Sequence, residues 1–192
     1  MRFRPAILSR VTGGLMCLVA GVALATSGVA DQHDPRLPSL FEVLREVRTP
    51  VEARLVEGQI WAIWMAADDE TVNLLMRQGT AAMSAQNLER ALEIFTEMVK
   101  IAPDFAEGWN KRATVLYLLG AHVESIADIG RTLELEPRHF GALSGLGLCN
   151  MELENDEAAL DAFERALAIN PHMEGVRANA ELLRRRIEGK AI

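Results

Sequence analysis

The sequence predicts an all-α solenoid of stacked helical hairpins, on three observations. Pro103, Pro137 and Pro171 stand 34 residues apart, and each closes the same apolar-x-apolar-x-Pro ending, as in Val99-Lys100-Ile101-Ala102-Pro103 and Leu167-Ala168-Ile169-Asn170-Pro171. Upstream of the endings, apolar residues recur at three- and four-residue steps: Leu88, Ala91, Leu92, Phe95, Met98 and Val99, then Ala159, Leu160, Phe163, Ala166 and Leu167. Only a helix puts such a set on one face. A second helical stretch precedes each of these, after a break at Gln86-Asn87, Gly120 or Asn155, residues that readily end helices.

Residues 1–30 read as a leader. Arg2, Arg4 and Arg10 precede an uncharged apolar run from Val11 to Ala25, and Gly28-Val29-Ala30 offers a small-x-small cleavage point, with Ala23-Leu24-Ala25 as an earlier one. Cleavage after Ala30 is expected, which places the chain in the periplasm. The alternative is an inner-membrane anchor, although about fifteen apolar residues fall short of the roughly 20 that span a bilayer. The residue before Cys17 is not small, which argues against a lipoprotein signal.

The mature chain carries 17 basic and 27 acidic side chains, a net charge of −10. Such a field repels nucleic acid, and Arg184-Arg185-Arg186 is one helical turn rather than a basic stripe. Cys149 alone remains after cleavage, so no disulfide forms within the chain.

After a linker at 31–37, residues 38–71 form a helix pair, Leu40 to Val47 and Val51 to Ala66, broken at Thr49-Pro50 with Pro50 in a first helical turn. It is expected to be a degenerate leading unit, with Ile60, Trp61, Trp64 and Met65 covering the exposed face of the first repeat; a dimer or partner contact is the alternative. Asp68-Asp69-Glu70 suits the start of the next helix better than a metal. Three hairpins follow at 72–105, 106–139 and 140–173. Proline ends each one, and Asp104 is expected to cap the helix after the first, with Glu107 completing a capping-box-like pair. Residues 174–192 carry Val176, Ala180, Leu182, Leu183 and Ile187 among charged residues and read as a capping helix and tail whose arginines face water.

The hairpins resemble the tetratricopeptide repeat family from Val72 to Met173. The third unit carries Leu146-Gly147, Ala159, Phe163, Ala166 and Pro171; the first keeps Gly79, Ala91, Phe95 and Pro103; the second has Trp109, Leu116-Tyr117, Gly120, Leu133 and Pro137. In the second, Arg112 stands where leucine is usual, and Ser125 and Thr132 replace small alanines, which puts the packing of that unit in question. The resemblance implies a right-handed superhelical solenoid of hairpins between the N-terminal pair and the C-terminal cap. It also implies a concave groove that receives a protein or peptide segment. The inward positions are then Asn73, Met76, Thr80 and Met83; Glu107, Asn110, Thr114, Tyr117 and Leu118; and Ser144, Leu148, Met151 and Glu152. The Lys and Asn with which some relatives hold a C-terminal carboxylate are not reproduced in place, although Asn110 and Lys111 lie nearby.

No catalytic constellation accompanies this. His33, His122, His139 and His172 lack metal-ligand spacing and are expected at the surface or in loops. Ser144 lacks a nucleophile elbow, Cys149 falls on an inner helical face as an inert core thiol, and no cofactor fingerprint follows residue 30. The expectation is a non-enzymatic, monomeric protein-binding module without cofactor or metal. A membrane-tethered or self-associating scaffold is the alternative.

Overall fold

A computed structural model describes residues 31–190, so the leader and its cleavage points lie outside the described residues. Among these residues every regular element is an α-helix. The elements run α1 (Leu37–Glu46), α2 (Pro50–Trp64), α3 (Glu70–Ser84), α4 (Leu88–Ile101), α5 (Ala106–Leu118), α6 (His122–Leu135), α7 (Phe140–Glu152), α8 (Asp156–Ile169) and α9 (Glu174–Lys190). Helices α3–α4, α5–α6 and α7–α8 form antiparallel hairpins, each packed on the next, and α9 lies on α8 with Val176, Ala180 and Leu183 buried against Phe163 and Ala166.

Each hairpin turn repeats one backbone device. Gln86, Gly120 and Glu154, 34 residues apart, have φ of 59°, 79° and 59°, and the next N–H reaches back to the last turn of the preceding helix, from Asn87 to Ala82, Ala121 to Leu116 and Asn155 to Asn150. This is the left-handed helix ending that glycine adopts without strain, so Gln86 and Glu154 adopt it at some cost.

Close helix approach follows the same register. A Cβ on Gly79 would lie 2.5 Å from the Phe95 ring, and one on Gly147 would lie 2.3 Å from the Phe163 ring. The equivalent pair in the second hairpin is Ala113 and Ile129, both buried in one cluster. A larger residue on the first helix is thus matched by a smaller one on the second, sixteen positions on.

The departures in the second hairpin make a polar seam between α5 and α6. Arg112 donates to Asp128 through Nε and Nη2, both at 2.7 Å, and its guanidinium lies 4.8 Å over the Trp109 ring. Ser125 Oγ donates to the Ala113 carbonyl, and Thr132 Oγ1 to the Asp128 carbonyl. The packing left in question by Arg112, Ser125 and Thr132 is therefore satisfied by hydrogen bonds, as buried polar groups require.

Two expectations about helix starts divide. Asp69 caps α3, accepting from the Thr71 and Val72 N–H groups. Asp104 does not cap α5, and Glu107 makes no capping box: the N-cap is Phe105, without a side-chain bond. The Ala106 N–H donates instead to Gln32 Oε1, 74 residues upstream, while Gln32 Nε2 donates to the Asp104 carbonyl at 2.6 Å. Residues 31–37 are thus a docked segment rather than a free linker, with Gln32, Asp34 and Leu37 buried.

The N-terminal pair also lies elsewhere than expected. Helices α1 and α2 share a core of Leu37, Phe41, Leu44, Val56, Ile60 and Trp64 that takes in Phe140 of α7 and packs on Ile169 and Met173. Asn170 Nδ2 donates to Glu57, and His172 Nε2 to the Leu44 carbonyl. Trp61 and Trp64 therefore cover the start of the third hairpin and not the outer face of the first. There His139 and Phe140 both meet the two indoles, whereas Met65, also expected to cover the first hairpin, does pack against that hairpin's core.

Candidate protein-binding groove

The first helices of the hairpins, α3, α5 and α7, carry the predicted groove residues, and the structure sorts them into three groups. Asn110, Thr114, Tyr117, Ser144 and Leu148 meet in one trough of about 180 Å³ between α5 and α7, lined also by Ala113, Ser125, Ile129, Gly141 and Gly145. Asn73, Met76 and Thr80 line a second trough of about 490 Å³, whose opposite wall is Ala62, Met65 and Ala66 at the end of α2. Met83, Leu118 and Met151 line neither. Met83 and Met151 pack against the cores of hairpins one and three, and Leu118 is exposed at the last residue of α5.

Several of these side chains are already committed. Met76 is a core residue, buried beside Phe95. Asn73 clamps the α2–α3 connection, donating to the Ala67 carbonyl at 2.6 Å and accepting from its N–H at 3.0 Å. Thr114 Oγ1 donates to the Asn110 carbonyl. Burial pushes the Tyr117 phenol up, with Glu152 adding to the shift, so it stays a neutral hydrogen-bonding group. Cys149 is fully buried, its thiol pushed up by burial and donating to Ser125, the inert state expected of it.

Beside the trough lies a buried cluster that the sequence did not announce. Glu107 is 1% exposed and His139 is 0% exposed, so neither is a groove or surface residue. Nδ1 of His139 accepts from the Ala142 N–H and so caps α7; the proton therefore sits on Nε2, which donates to Glu107 Oε2 at 2.8 Å. Asn110 Nδ2 donates to the same oxygen at 3.0 Å. Lys111 Nζ lies 3.2 Å from Oε1, a charge pairing without hydrogen-bond alignment. Burial pushes the Glu107 carboxyl up, but the hydrogen bond from His139, with the Lys111 ammonium, outweighs it and holds it below the ordinary glutamate value. His139 also stacks on Trp64, 4.1 Å between centroids. The i,i+4 spacing of Glu107 and Lys111 was the one visible signal of this cluster.

A carboxyl held below its unfolded value stabilises the fold above the glutamate range, and that contribution is lost as pH falls through the folded value. Wild-type Tm is therefore expected to drop below about pH 4.3 more steeply than that of Glu107→Gln, read by circular dichroism from pH 7 to 3. Parallel curves would show that Glu107 does not carry the acid sensitivity.

Among the described residues no three His, Cys, Asp or Glu side chains gather where they could hold a metal ion, and no helix is long and apolar enough to cross a membrane.

The sequence profile described as Tetratricopeptide repeat matches residues 76–132 and 124–174. A TPR repeat-containing protein of Rhizobium etli is 35% identical over 154 residues, covering 80% of this chain and 76% of that protein. A match of that length reaches into α1 wherever it lies on the chain. The fold is similar to the Sgt2 TPR domain from Aspergillus fumigatus, with a TM-score of 0.61 at 23% identity over 66% of this chain and 85% of that one. It is also similar to the first TPR of Spaghetti (RPAP3), solved with an HSP90 peptide, at 0.61 and 17% identity over 63% and 96%. With the repeat profile spanning the three hairpins and a relative matched across most of both chains, the protein belongs to the tetratricopeptide repeat family.

Proposed function

We propose that the protein is a non-catalytic adaptor that holds a segment of a partner protein in the trough between α5 and α7. The observation that carries this is the convergence of Asn110, Thr114 and Tyr117 with Ser144 and Leu148, from two successive hairpins, on one open trough. The peptide complex of the similarly folded RPAP3 domain supports the reading. The segment is apolar or neutral rather than an acidic tail, because Asn110 and Lys111 are both engaged by Glu107. Affinity comes from apolar burial at about 25 cal/mol per Å² less the ordering cost; no bond is made or broken. In this reading the leader at 1–30 exports the chain to the periplasm, where it works as a monomer. A reporter enzyme active only outside the cytoplasm, fused after residue 30, tests the export.

The test of binding is a photo-crosslinking amino acid at Tyr117, with the exposed Glu97 of α4 as the outer-face control. Capture of one species from position 117, abolished when Ser144→Trp fills the trough, is the expected result. Capture from position 97 that is indifferent to Ser144→Trp would overturn the groove.

A further inference from the structure

None of the residues lining the trough between α5 and α7 is charged, whereas the trough between α2 and α3 is lined in part by Arg77. Ala113, Ser125, Gly141, Ser144 and Gly145 line it with side chains no larger than serine's, so a group lying there meets helix backbone and short side chains rather than long flexible ones. Ile129, Leu148 and the Tyr117 ring supply apolar surface, and the Tyr117 ring is itself in contact with that of His122, 5.4 Å between centroids.

Several polar groups of the trough are already engaged. Ser125 Oγ donates to the Ala113 carbonyl, and Thr114 Oγ1 to that of Asn110. Asn110 Nδ2 donates to Glu107 Oε2. Because that ionised carboxylate only accepts, the orientation of the amide is fixed, and what Asn110 has left to offer is the acceptor Oδ1. The Tyr117 and Ser144 hydroxyls have no hydrogen-bond partner among the described residues. The trough thus keeps one acceptor and two hydroxyls for a visitor. A neutral group that donates a hydrogen bond meets them without the desolvation cost of a charge.

Size narrows the choice further. A cavity of about 150 Å³ takes up one benzene molecule, so the trough, at about 180 Å³, has room for a single six-membered ring with a hydroxyl on it. We infer that the trough is a socket for one tyrosine side chain of the partner segment, with its ring against Ala113, Ile129 and Leu148 and its hydroxyl donating to Asn110 Oδ1. This rests on the reading of the trough as the binding groove and names the residue that the groove selects. Tyrosine brings a large contact area with two side-chain torsions to fix, a small entropic cost for an anchor. Phenylalanine leaves Asn110 Oδ1 without its donor, an indole is larger than the space, and leucine lacks both the ring and the hydrogen bond.

Backbone amide chemical shifts of the full chain, followed by NMR during titration with N-acetyl-tyrosinamide and its phenylalanine, tryptophan and leucine counterparts, test it. N-acetyl-tyrosinamide is expected to move the Tyr117, Ser144 and Gly145 amides with a Kd on the order of 1 mM, as suits so small a ligand. The phenylalanine counterpart should bind about fivefold more weakly for want of one hydrogen bond, and the other two more weakly than N-acetyl-tyrosinamide as well. Gly145→Ala narrows the trough in a protein that still folds: its Cβ would lie 3.4 Å from Ile129 Cδ1, an ordinary contact, and alanine is the better helix former. It should weaken N-acetyl-tyrosinamide about fivefold or more without lowering Tm. Equal or tighter binding of the phenylalanine or tryptophan counterpart overturns the socket. So does a Gly145→Ala protein that binds as the wild type does, or a titration that leaves these amides unmoved. Capture by the crosslinker at position 117 would still uphold the groove in each of those cases, so the two readings fail separately.

Discussion

Arg112→Leu, which installs the residue usual at that position of the repeat, is expected to destabilise the protein by about 3–5 kcal/mol, the cost of leaving one member of a buried ion pair alone. Asp128 is the stranded partner, its side chain 7% exposed and both its oxygens bonded to Arg112. A carboxylate so enclosed cannot recover its hydration without opening the α5–α6 seam. The apolar arginine stem and its contact with Trp109 are lost as well. Adding Asp128→Ala to Arg112→Leu should recover most of the loss, because an apolar pair is close to neutral where a lone charge is not. Urea unfolding of the two single variants and the double closes the cycle. A single-variant cost below about 1 kcal/mol would mean that the pair behaves as an exposed one.

Phe163→Ala should cost about 3–5 kcal/mol, the range for emptying a fully buried aromatic site. Its ring fills the space left by Gly147, and a glycine has no side chain with which to collapse into the hole. A sign reversal follows. In the wild type Gly147→Ala overpacks the ring and should destabilise by about 1–3 kcal/mol. In the Phe163→Ala background the same methyl enters the cavity and should stabilise, helped by alanine's better helix propensity. Gly147→Ala with Phe163→Ile should sit nearer the wild type than either single change, since Ala113 and Ile129 already make that pair one hairpin earlier. Thermal unfolding of the five variants decides, three single and two double; a Gly147→Ala effect of one sign in both backgrounds would refute the contact.

These two cases mark what can be read without coordinates. The hairpins were legible because their contacts are local and periodic: Gly79, Gly147, Phe95, Phe163 and the three prolines repeat at a fixed spacing, which packing between successive units imposes. The Arg112–Asp128 pair was within reach too, being sixteen residues apart like Gly79 and Phe95. The trough between α5 and α7 was legible in part. Asn110, Thr114, Tyr117, Ser144 and Leu148 converge because each hairpin repeats its geometry, whereas Met83 and Met151 turned to their own cores because flexible thioethers fill whatever gap is nearest. The seat of α1–α2 was not legible. Gln32 meets Asp104 and His172 meets Leu44 across 72 and 128 residues, and no period links such pairs. The burial of His139 was hidden for the same reason, since its stacking partner Trp64 belongs to the distant pair.

The His172–Leu44 and Asn170–Glu57 bonds have a consequence for how the chain is made. A ribosome completes α1 and α2 first, yet their seat does not exist until the turn after α8 has emerged more than a hundred residues later. Through that interval Phe41, Ile60, Trp61 and Trp64 have only one another and the rest of α1–α2 to cover them. The first helix pair is thus the last to settle, and the stretch most exposed to aggregation or to a holding chaperone during synthesis is the one that ends up among the best sheltered.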